Sequence, residues 1–209
     1  MKKYQGILPI FIVAMCVTVS LYSCSKFTGS KTPLYEGDIV EEHDSSRNIL
    51  VAYFSISGNT EKVAKFIADE TGGTLYRIER NNPYPKEFRV YADEAKKELD
   101  DSIFPIIKDP VADFDRYDVV FVGCPVWWHT TPRIISSFLE KQGYDFSNKI
   151  VVPFCTYANM FPHETLYEIV KETPGAIHPD GFVSEEGDTT GIYNWLQSIN
   201  MIQNNRSVR

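Results

Sequence analysis

The chain has 209 residues and a formal net charge of −7, which limits both its size and its partners. The length suits one ordinary domain with short additional segments, and a hydrophobic content of 43% allows a packed core. Binding of nucleic acid requires clustered lysine and arginine, so the acidic balance argues against nucleic acid as a partner. The 4 histidines are scattered along the chain without the spacing of metal ligands, and we predict no metal site.

Residues 1–23 have the pattern of an export signal. Lys2 and Lys3 precede a mainly apolar run over residues 7–21, which is too short for a comfortable membrane span. The run ends in Leu-Tyr-Ser-Cys, which resembles the end of a bacterial lipoprotein signal. This resemblance implies cleavage before Cys24, a lipid on that cysteine, and a protein anchored to the bacterial cell envelope outside the cytoplasm. An uncleaved anchor helix and an ordinary secretory signal are the alternatives.

The segment after the signal shows neither helical nor strand periodicity. It contains glycine, proline and several acidic residues, so we expect residues 24–47 to form a flexible tether between a membrane surface and the domain. The domain itself is predicted over residues 48–201. Residues 202–209 are predicted to be a C-terminal tail.

Strand and helix patterns alternate five times across the predicted domain. Runs of β-branched and aromatic residues predict strands at residues 49–54, 74–79, 118–123, 149–155 and 176–183. Apolar residues at helical spacing predict helices at residues 59–71, 86–99, 132–141 and 164–171, and from residue 188 or 189 onward. The alternation predicts an α/β fold, with a parallel sheet covered by helices on both faces. Ligands of such sheets bind at the carboxyl ends of the strands.

The turn between the first strand and the first helix consists almost entirely of hydroxyl, amide and glycine residues. Its residues are Ser55, Ile56, Ser57, Gly58, Asn59 and Thr60, without a lysine or arginine. Such a turn can direct backbone N–H groups, hydroxyls and the positive end of a helix dipole toward one anion. The lack of a basic residue favours the phosphate of a bound cofactor over a phosphoryl group in transfer. The alternative is an ordinary strand–turn–helix junction capped by Ser57 or Asn59.

This turn, Ser-Ile-Ser-Gly-Asn-Thr after a strand, resembles the phosphate loop of the flavodoxin family. The resemblance implies a three-layer sandwich whose five-stranded parallel sheet has the order 2-1-3-4-5. It also implies that residues 55–60 hold the phosphate of FMN. In that strand order the ligand crevice lies between strands 1 and 3, a rule for which flavodoxin with FMN is itself a standard example.

The loop after the third strand contains two adjacent tryptophans. Indoles can stack on a planar ring and shield it from water, although one of the two could instead pack into the core. The segment Pro125, Val126, Trp127, Trp128 resembles the Pro-Ile-Trp-Trp segment of short flavodoxin-like proteins. By this resemblance, these four residues line the isoalloxazine ring of FMN.

The loop after the fourth strand begins with Pro-Phe-Cys-Thr at residues 153–156, which resembles the same family. The resemblance implies contacts with the flavin from Thr156 and Tyr157. Relatives usually continue with a glycine-rich run, whereas residues 157–163 contain no glycine. Their side chains could fill the space of the ring, or Tyr157 could stack on it.

Three functional hypotheses follow. The leading one is an envelope-anchored FMN protein that carries electrons, or reduces a small acceptor such as a quinone, with an unidentified redox partner. The alternative is a non-catalytic module of the same fold that no longer binds flavin. A hydrolase with Cys155 as nucleophile would require a neighbouring histidine and an orienting group, so we assign no catalytic residue. Cys124 and Cys155 are expected to be buried thiols, with a disulfide between them as the alternative.

Overall fold

The computed structural model describes residues 33–203, and within this range five strands alternate with five helices. The strands are β1 (Ile49–Tyr53), β2 (Thr74–Arg77), β3 (Val119–Pro125), β4 (Ile150–Tyr157) and β5 (Phe182–Glu185). The helices are α1 (Asn59–Thr71), α2 (Phe88–Asp100), α3 (Arg133–Glu140), α4 (Pro162–Glu172) and α5 (Ile192–Ser198). None of the helices in the described range has the length and apolar character needed to cross a membrane. The predicted export signal, Cys24 and residues 204–209 lie outside the described residues.

The five strands form one parallel sheet in the order β2-β1-β3-β4-β5, which confirms the predicted fold class and order 2-1-3-4-5. β1 is paired with β2 on one side and with β3 on the other. The strands are therefore added toward one edge of the sheet from β1 to β2 and toward the other edge from β3 onward, so the strand order reverses between β1 and β3. The carboxyl ends of these two strands flank the crevice in which a parallel sheet of this type binds its ligands.

The core lies on both faces of the sheet because successive strand residues point to opposite sides. Val51 and Phe121 pack in a cluster with α1 and α5 on one face. Leu50 and Val122 pack in a second cluster with α3 and α4 on the other face. The central strands β1 and β3 are almost entirely buried, which explains their nearly continuous apolar sequences.

Helix α2 differs from its prediction in the side chains that it buries. The apolar spacing of residues 88–99 predicts an inner face that includes Phe88 and Leu99, but Phe88 is 69% exposed, and the buried residue of the last turn is Glu98, at 3% exposure. The hydroxyl of Tyr84 donates to Glu98 Oε2 (2.6 Å), and Arg80 Nη1 lies 3.3 Å from Glu98 Oε1. These partners come from the loop after β2, and they offset part of the cost of burying the Glu98 carboxylate.

The described part of the predicted tether packs on the domain. Asp38 N–H donates to the carbonyl of His178 (2.6 Å), and His178 N–H donates to Asp38 Oδ2 (2.7 Å). Val40 is buried, and its carbonyl accepts a hydrogen bond from Asn200 Nδ2 (2.5 Å). This differs from the expectation of a free tether over residues 24–47, because these groups are satisfied by the domain and not by water. Residues 24–32 lie outside the described range.

The fifth strand also differs in position, since β5 begins at Phe182 and the prediction began at residue 176. Ile177 makes one isolated bridge with Ile150, and His178 is paired with the N-terminal segment. Backbone groups in this stretch are therefore bonded partly to a segment distant in sequence, which a local pattern does not reveal.

Candidate cofactor-binding site

The loop between β1 and α1 forms an open turn at the amino end of a helix. Gly58 has φ = +94°, a conformation that glycine adopts without strain, and its N–H donates to Ser55 Oγ (3.1 Å). Gly58 is the cap residue of α1, so no side chain caps the first N–H groups of this helix. Capping by Ser57 or Asn59, the ordinary alternative, is therefore not what the structure has. The free amides and the positive end of the helix dipole are available to an anion.

A buried pair of hydroxyls joins this loop to the end of β4. Thr60 Oγ1 and Thr156 Oγ1 lie 2.7 Å apart, and both residues are buried. One hydroxyl donates to the other, so the accepting hydroxyl keeps its own hydrogen for a further donor contact. The pair fixes the start of α1 relative to the loop after β4.

Three of the predicted loops converge on one cleft of about 190 Å³. Predicted site residues in its lining are Ser57, Asn59, Pro125, Val126, Thr156 and Tyr157. Within residues 33–203, no side-chain hydrogen bond occupies Ser57 or Asn59, so both polar groups are free to bind a ligand. The structure thus places the carboxyl ends of β1, β3 and β4 around one space.

The remaining predicted residues lie around this cleft and not in its wall. Trp127 and Trp128 line a neighbouring cleft of about 250 Å³ on the side of α2, and Val126 borders both clefts. Ser55 and Ile56 face a third space between β1 and β2. Val126 therefore marks the point where the donor-lined and aromatic parts of the region meet.

The tryptophan loop is a two-residue hairpin with unusual backbone angles. Trp127 and Thr130 exchange two backbone hydrogen bonds of 3.0 Å each. Between them, Trp128 has φ = +49° and His129 has φ = +68°. Two successive positive φ angles are typical of a type I′ turn, which normally contains Asn-Gly. Non-glycine residues there cost roughly 1–2 kcal/mol each, and strain of this kind is concentrated at functional sites.

The two indoles occupy different environments. Trp127 is half-buried, stacks on Tyr91 with ring centroids 5.4 Å apart, and meets Tyr84 edge-on. Trp128 is 44% exposed, and its Nε1 donates to the carbonyl of Ala92 (3.0 Å). Trp127 is thus part of an aromatic cluster, whereas Trp128 lies at the rim and is held against α2 by one hydrogen bond.

The glycine-free loop after β4 leaves the cleft open. Of residues 157–163, only Tyr157 and Ala158 line the cleft. Phe161, the bulkiest side chain after them, is buried, and its ring centroid lies 3.9 Å from that of His129. The loops after β3 and β4 are therefore in contact through His129 and Phe161, and Tyr157 is the large side chain of this loop that lines the cleft.

A family model for flavodoxin matches residues 48–199, which include the whole sheet and all three loops. The chain belongs to the flavodoxin family. A protein from Bacteroides eggerthii that is assigned as a flavoprotein is 32% identical, with a TM-score of 0.65 over 74% of this chain and 98% of that chain. A second, from Bacteroides uniformis, is 29% identical with a TM-score of 0.65, over 72% of this chain and 98% of that chain.

A flavoprotein from Lactobacillus acidophilus, solved in complex with FMN, is 22% identical to this flavodoxin. Its TM-score is 0.58, over 72% of this chain and 99% of that chain, and at this identity the likeness shows the fold alone. No protein of curated function matches the sequence.

Two residues of the cleft wall were not predicted as site residues: Ala158, next to the predicted Tyr157, and Glu186, in the loop after β5. Glu186 lines the same cleft as Ser57, and its N–H donates to the carbonyl of Tyr157 (2.9 Å). A Cβ on the next residue, Gly187, would lie 3.1 Å from Cα of Asn59, so this loop comes close to the start of α1. The Glu-Gly sequence indicates a turn, but only the strand order brings that turn to the cleft.

A basic residue also lies beside the predicted phosphate loop, although residues 55–60 themselves contain none. Arg77 at the end of β2 donates from Nη2 to the carbonyl of Ser55 (2.8 Å) and from Nη1 to Glu61 Oε2 (2.9 Å). Its hydrogen bond to Ser55 holds the backbone of the loop in place, and the carboxylate of Glu61 offsets the charge of the guanidinium. Parallel pairing of β2 with β1 explains this position.

The two described cysteines of the flavodoxin domain are free thiols in adjacent strands. Cys124 is the register partner of Cys155, and both are wholly buried without a disulfide. Burial raises the pKa of each thiol, and Cys155 Sγ donates to the carbonyl of Pro162 (3.4 Å). Because the thiolate is the nucleophile, these environments disfavour a cysteine hydrolase. Within residues 33–203, no cluster of three or more His, Cys, Asp or Glu side chains could hold a metal ion.

Proposed function

We propose that this flavodoxin binds FMN and acts as a redox protein of the cell envelope. The supporting observation is that the uncapped amino end of α1 and the free side chains of Ser57 and Asn59 open onto one cleft, which Val126 joins to the tryptophan loop. The FMN complex of the Lactobacillus acidophilus protein, which shares the fold, is in line with this proposal.

The donor set fits a phosphate monoester. Backbone amides at the amino end of α1 would bind the phosphate oxygens together with the Ser57 hydroxyl and the Asn59 amide. Whichever of Thr60 and Thr156 accepts the hydrogen bond within their pair has one further donor hydrogen. The donors are neutral, and the positive end of the α1 dipole adds a favourable interaction with the phosphate.

The aromatic residues fit a planar ring, with one adjustment. Ligand pockets of small molecules usually measure about 300–1,000 Å³, and each of the two clefts beside Val126 is smaller than that. The indole of Trp128 separates from α2 at the cost of its hydrogen bond to Ala92 and its contact with the Lys96 ammonium, 5.7 Å from the ring centroid. We expect Trp128 to move when the flavin ring binds between the tryptophan loop and Tyr157.

Bound FMN would supply the electron-transfer chemistry, and the protein would set its environment. Glu186 lies in the cleft wall. The pKa of the Tyr157 phenol is raised mainly by burial and, to a smaller extent, by the nearby carboxylate of Glu185. Two carboxylates at this end of the site would disfavour additional negative charge on the ring and so lower its reduction potential. The protein would then carry electrons or reduce a small acceptor such as a quinone.

The envelope location is part of the proposal and depends on the signal pattern of residues 1–23 and on Cys24. Lipidation at that cysteine would anchor the protein to a membrane outside the cytoplasm. Metabolic labelling with a radioactive fatty acid tests it: label should appear on the wild-type chain and be absent from Cys24→Ser.

Binding of FMN is tested by titration of a purified chain that begins after Cys24, followed by quenching of flavin fluorescence. FMN should bind at least about tenfold more tightly than riboflavin, because only FMN uses the charge-assisted hydrogen bonds at the loop. Ser57→Ala should weaken FMN and leave riboflavin unchanged. Ser147→Ala, in an exposed turn before β4, serves as the matched control.

A second candidate function is a module of the same fold that binds no flavin. The small volume of the donor-lined cleft and the carboxylate of Glu186 in its wall favour this candidate. It predicts colourless protein from the native envelope and no uptake of micromolar FMN by the purified chain. Yellow protein that releases FMN on denaturation would exclude it.

A further inference from the structure

A separate cleft of about 280 Å³ lies on the other side of the phosphate loop, between the carboxyl ends of β1 and β2. Its floor is apolar and aromatic, and includes Phe54, Ile56, Ile78 and Tyr84. Its rim is basic, with Arg77, Arg80, Lys86 and Lys108, and the single acidic lining residue is Glu79. The local sign of charge is thus opposite to that of the chain, which has 28 acidic against 21 basic residues.

The walls of this cleft are held in place by backbone hydrogen bonds. Asn81 N–H donates to the carbonyl of Ile106 (2.8 Å), and Lys108 N–H donates to the carbonyl of Glu79 (2.9 Å). Prolines precede and follow Tyr84 and restrict the loop between these bonds and α2. The cleft is therefore formed before any ligand binds, as small-molecule sites usually are.

The two arginines of the rim are paired with carboxylates at hydrogen-bond distance. Arg77 Nη1 donates to Glu61 (2.9 Å). Arg80 Nη1 donates to Glu94 Oε1 (2.5 Å), and its guanidinium lies 4.7 Å from the ring centroid of Tyr84. These arginines shape the wall, but their charges are already balanced.

The two lysines form no side-chain hydrogen bond within residues 33–203, so their N–H donors are open to an anion. Within residues 33–203, Lys86 forms no ion pair. Lys108 Nζ lies 3.7 Å from both Glu79 Oε2 and Asp109 Oδ2, within ion-pair distance but beyond hydrogen-bond distance, so two carboxylates partly balance its charge while its N–H donors stay open to a ligand. Lys86 and Lys108 both line the cleft, so two ammonium groups face one apolar floor.

We propose that this cleft binds a small amphipathic anion, with an apolar ring or short chain on the floor and a carboxylate or phosphate head between Lys86 and Lys108. The cleft lies between β1 and β2 and not at the reversal of strand order between β1 and β3, and it shares only Ser55 and Ile56 with the predicted FMN site. It does not depend on the binding of FMN. A neutral molecule of the same shape would gain the floor contacts but not the two lysine contacts.

The test compares 3-phenylpropionate and phenyl phosphate with the neutral 3-phenylpropanamide, by isothermal titration of a purified chain that begins after Cys24. At least one of the anions should bind at millimolar concentration or below, and the amide should bind at least about tenfold more weakly. The better anion identifies the head group. An exposed ion-pair contact contributes up to about fivefold in affinity, so the Lys86→Ala/Lys108→Ala double variant should lose up to about 25-fold.

Lys96→Ala, on α2 beside Trp128, is the matched control and should bind the anion as the wild type does. Unchanged affinity of the double lysine variant, equal binding of the amide, or no binding of either anion at millimolar concentration would overturn the proposal. The affinity of the double variant for FMN should equal that of the wild type. Failure of FMN binding alone would therefore contradict the proposed function and leave this site unaffected.

Discussion

Removal of one hydroxyl from the Thr60–Thr156 pair should destabilise the domain and loosen the proposed phosphate loop. The two oxygens lie 2.7 Å apart, and the residues are only 1% and 4% exposed. Thr156→Val preserves the shape of the side chain and leaves the Thr60 hydroxyl buried without a partner. Thr60→Val does the same to Thr156.

The magnitude follows from the asymmetry between broken and absent hydrogen bonds. A buried polar group without a partner costs about 1–3 kcal/mol, so each single variant should lower the free energy of unfolding by that amount. Thr60→Val/Thr156→Val replaces both polar groups by methyl groups and should be less destabilised than the sum of the two singles, by about 1–3 kcal/mol. For a domain of this size, 1 kcal/mol corresponds to a shift in Tm of about 2–4 °C.

Urea unfolding followed by tryptophan fluorescence measures all four corners of this cycle. Thr74→Val, at an exposed position of β2, controls for the effect of the substitution itself and should change the free energy of unfolding by less than about 0.5 kcal/mol. Single variants as stable as this control, or strictly additive effects in the double variant, would refute the role assigned to the buried hydrogen bond.

Three further predictions concern other parts of the domain. Gly123→Ala should lower the free energy of unfolding in urea by about 1–3 kcal/mol or more, because the new Cβ would lie 1.9 Å from the Phe154 ring. Adding Phe154→Leu should restore part of that loss, and a double variant without any restoration would contradict the clash. Burial raises the pKa of Glu172 from 4.5 to about 7, so between these values the folded state keeps a proton that the unfolded state loses, and stability falls by up to about 3 kcal/mol as pH rises. Glu172→Gln should flatten this dependence in urea unfolding at pH 5 and pH 8, and an unchanged slope would disprove the assignment. Trp128→Asn/His129→Gly supplies the favoured type I′ pair, so Tm should rise while affinity for FMN falls; unchanged affinity would remove Trp128 from the proposed site.

The sheet could be predicted from sequence because its signals are local. The apolar run of β3 indicates a strand covered on both faces, and the glycine-containing turn at residues 55–60 indicates a strand that passes directly into a helix. Strand order then followed from the family resemblance, and with it the approach of three loops to one cleft. Thr60 and Thr156, which are 96 positions apart, are brought together by that topology alone.

The features that sequence did not reveal depend on partners distant in the chain. Glu98 is buried in place of its apolar neighbour because Tyr84 and Arg80 lie beneath it. The N-terminal segment is bonded to the domain through Asp38 and His178, which are separated by 140 positions. Hydrophobic periodicity reports which side of an element is apolar, and it carries no information on such polar pairs.

The adjacent thiols of Cys124 and Cys155 have a practical consequence. In a chain that begins after Cys24 they are the only cysteines, and both are wholly buried in the two strands with the most extensive pairing. A thiol-reactive dye reaches them only after β3 and β4 separate, an event with a free energy close to that of global unfolding. The rate of thiol labelling at Cys124 and Cys155 therefore reports how often the domain unfolds, and no engineered cysteine is needed for the measurement.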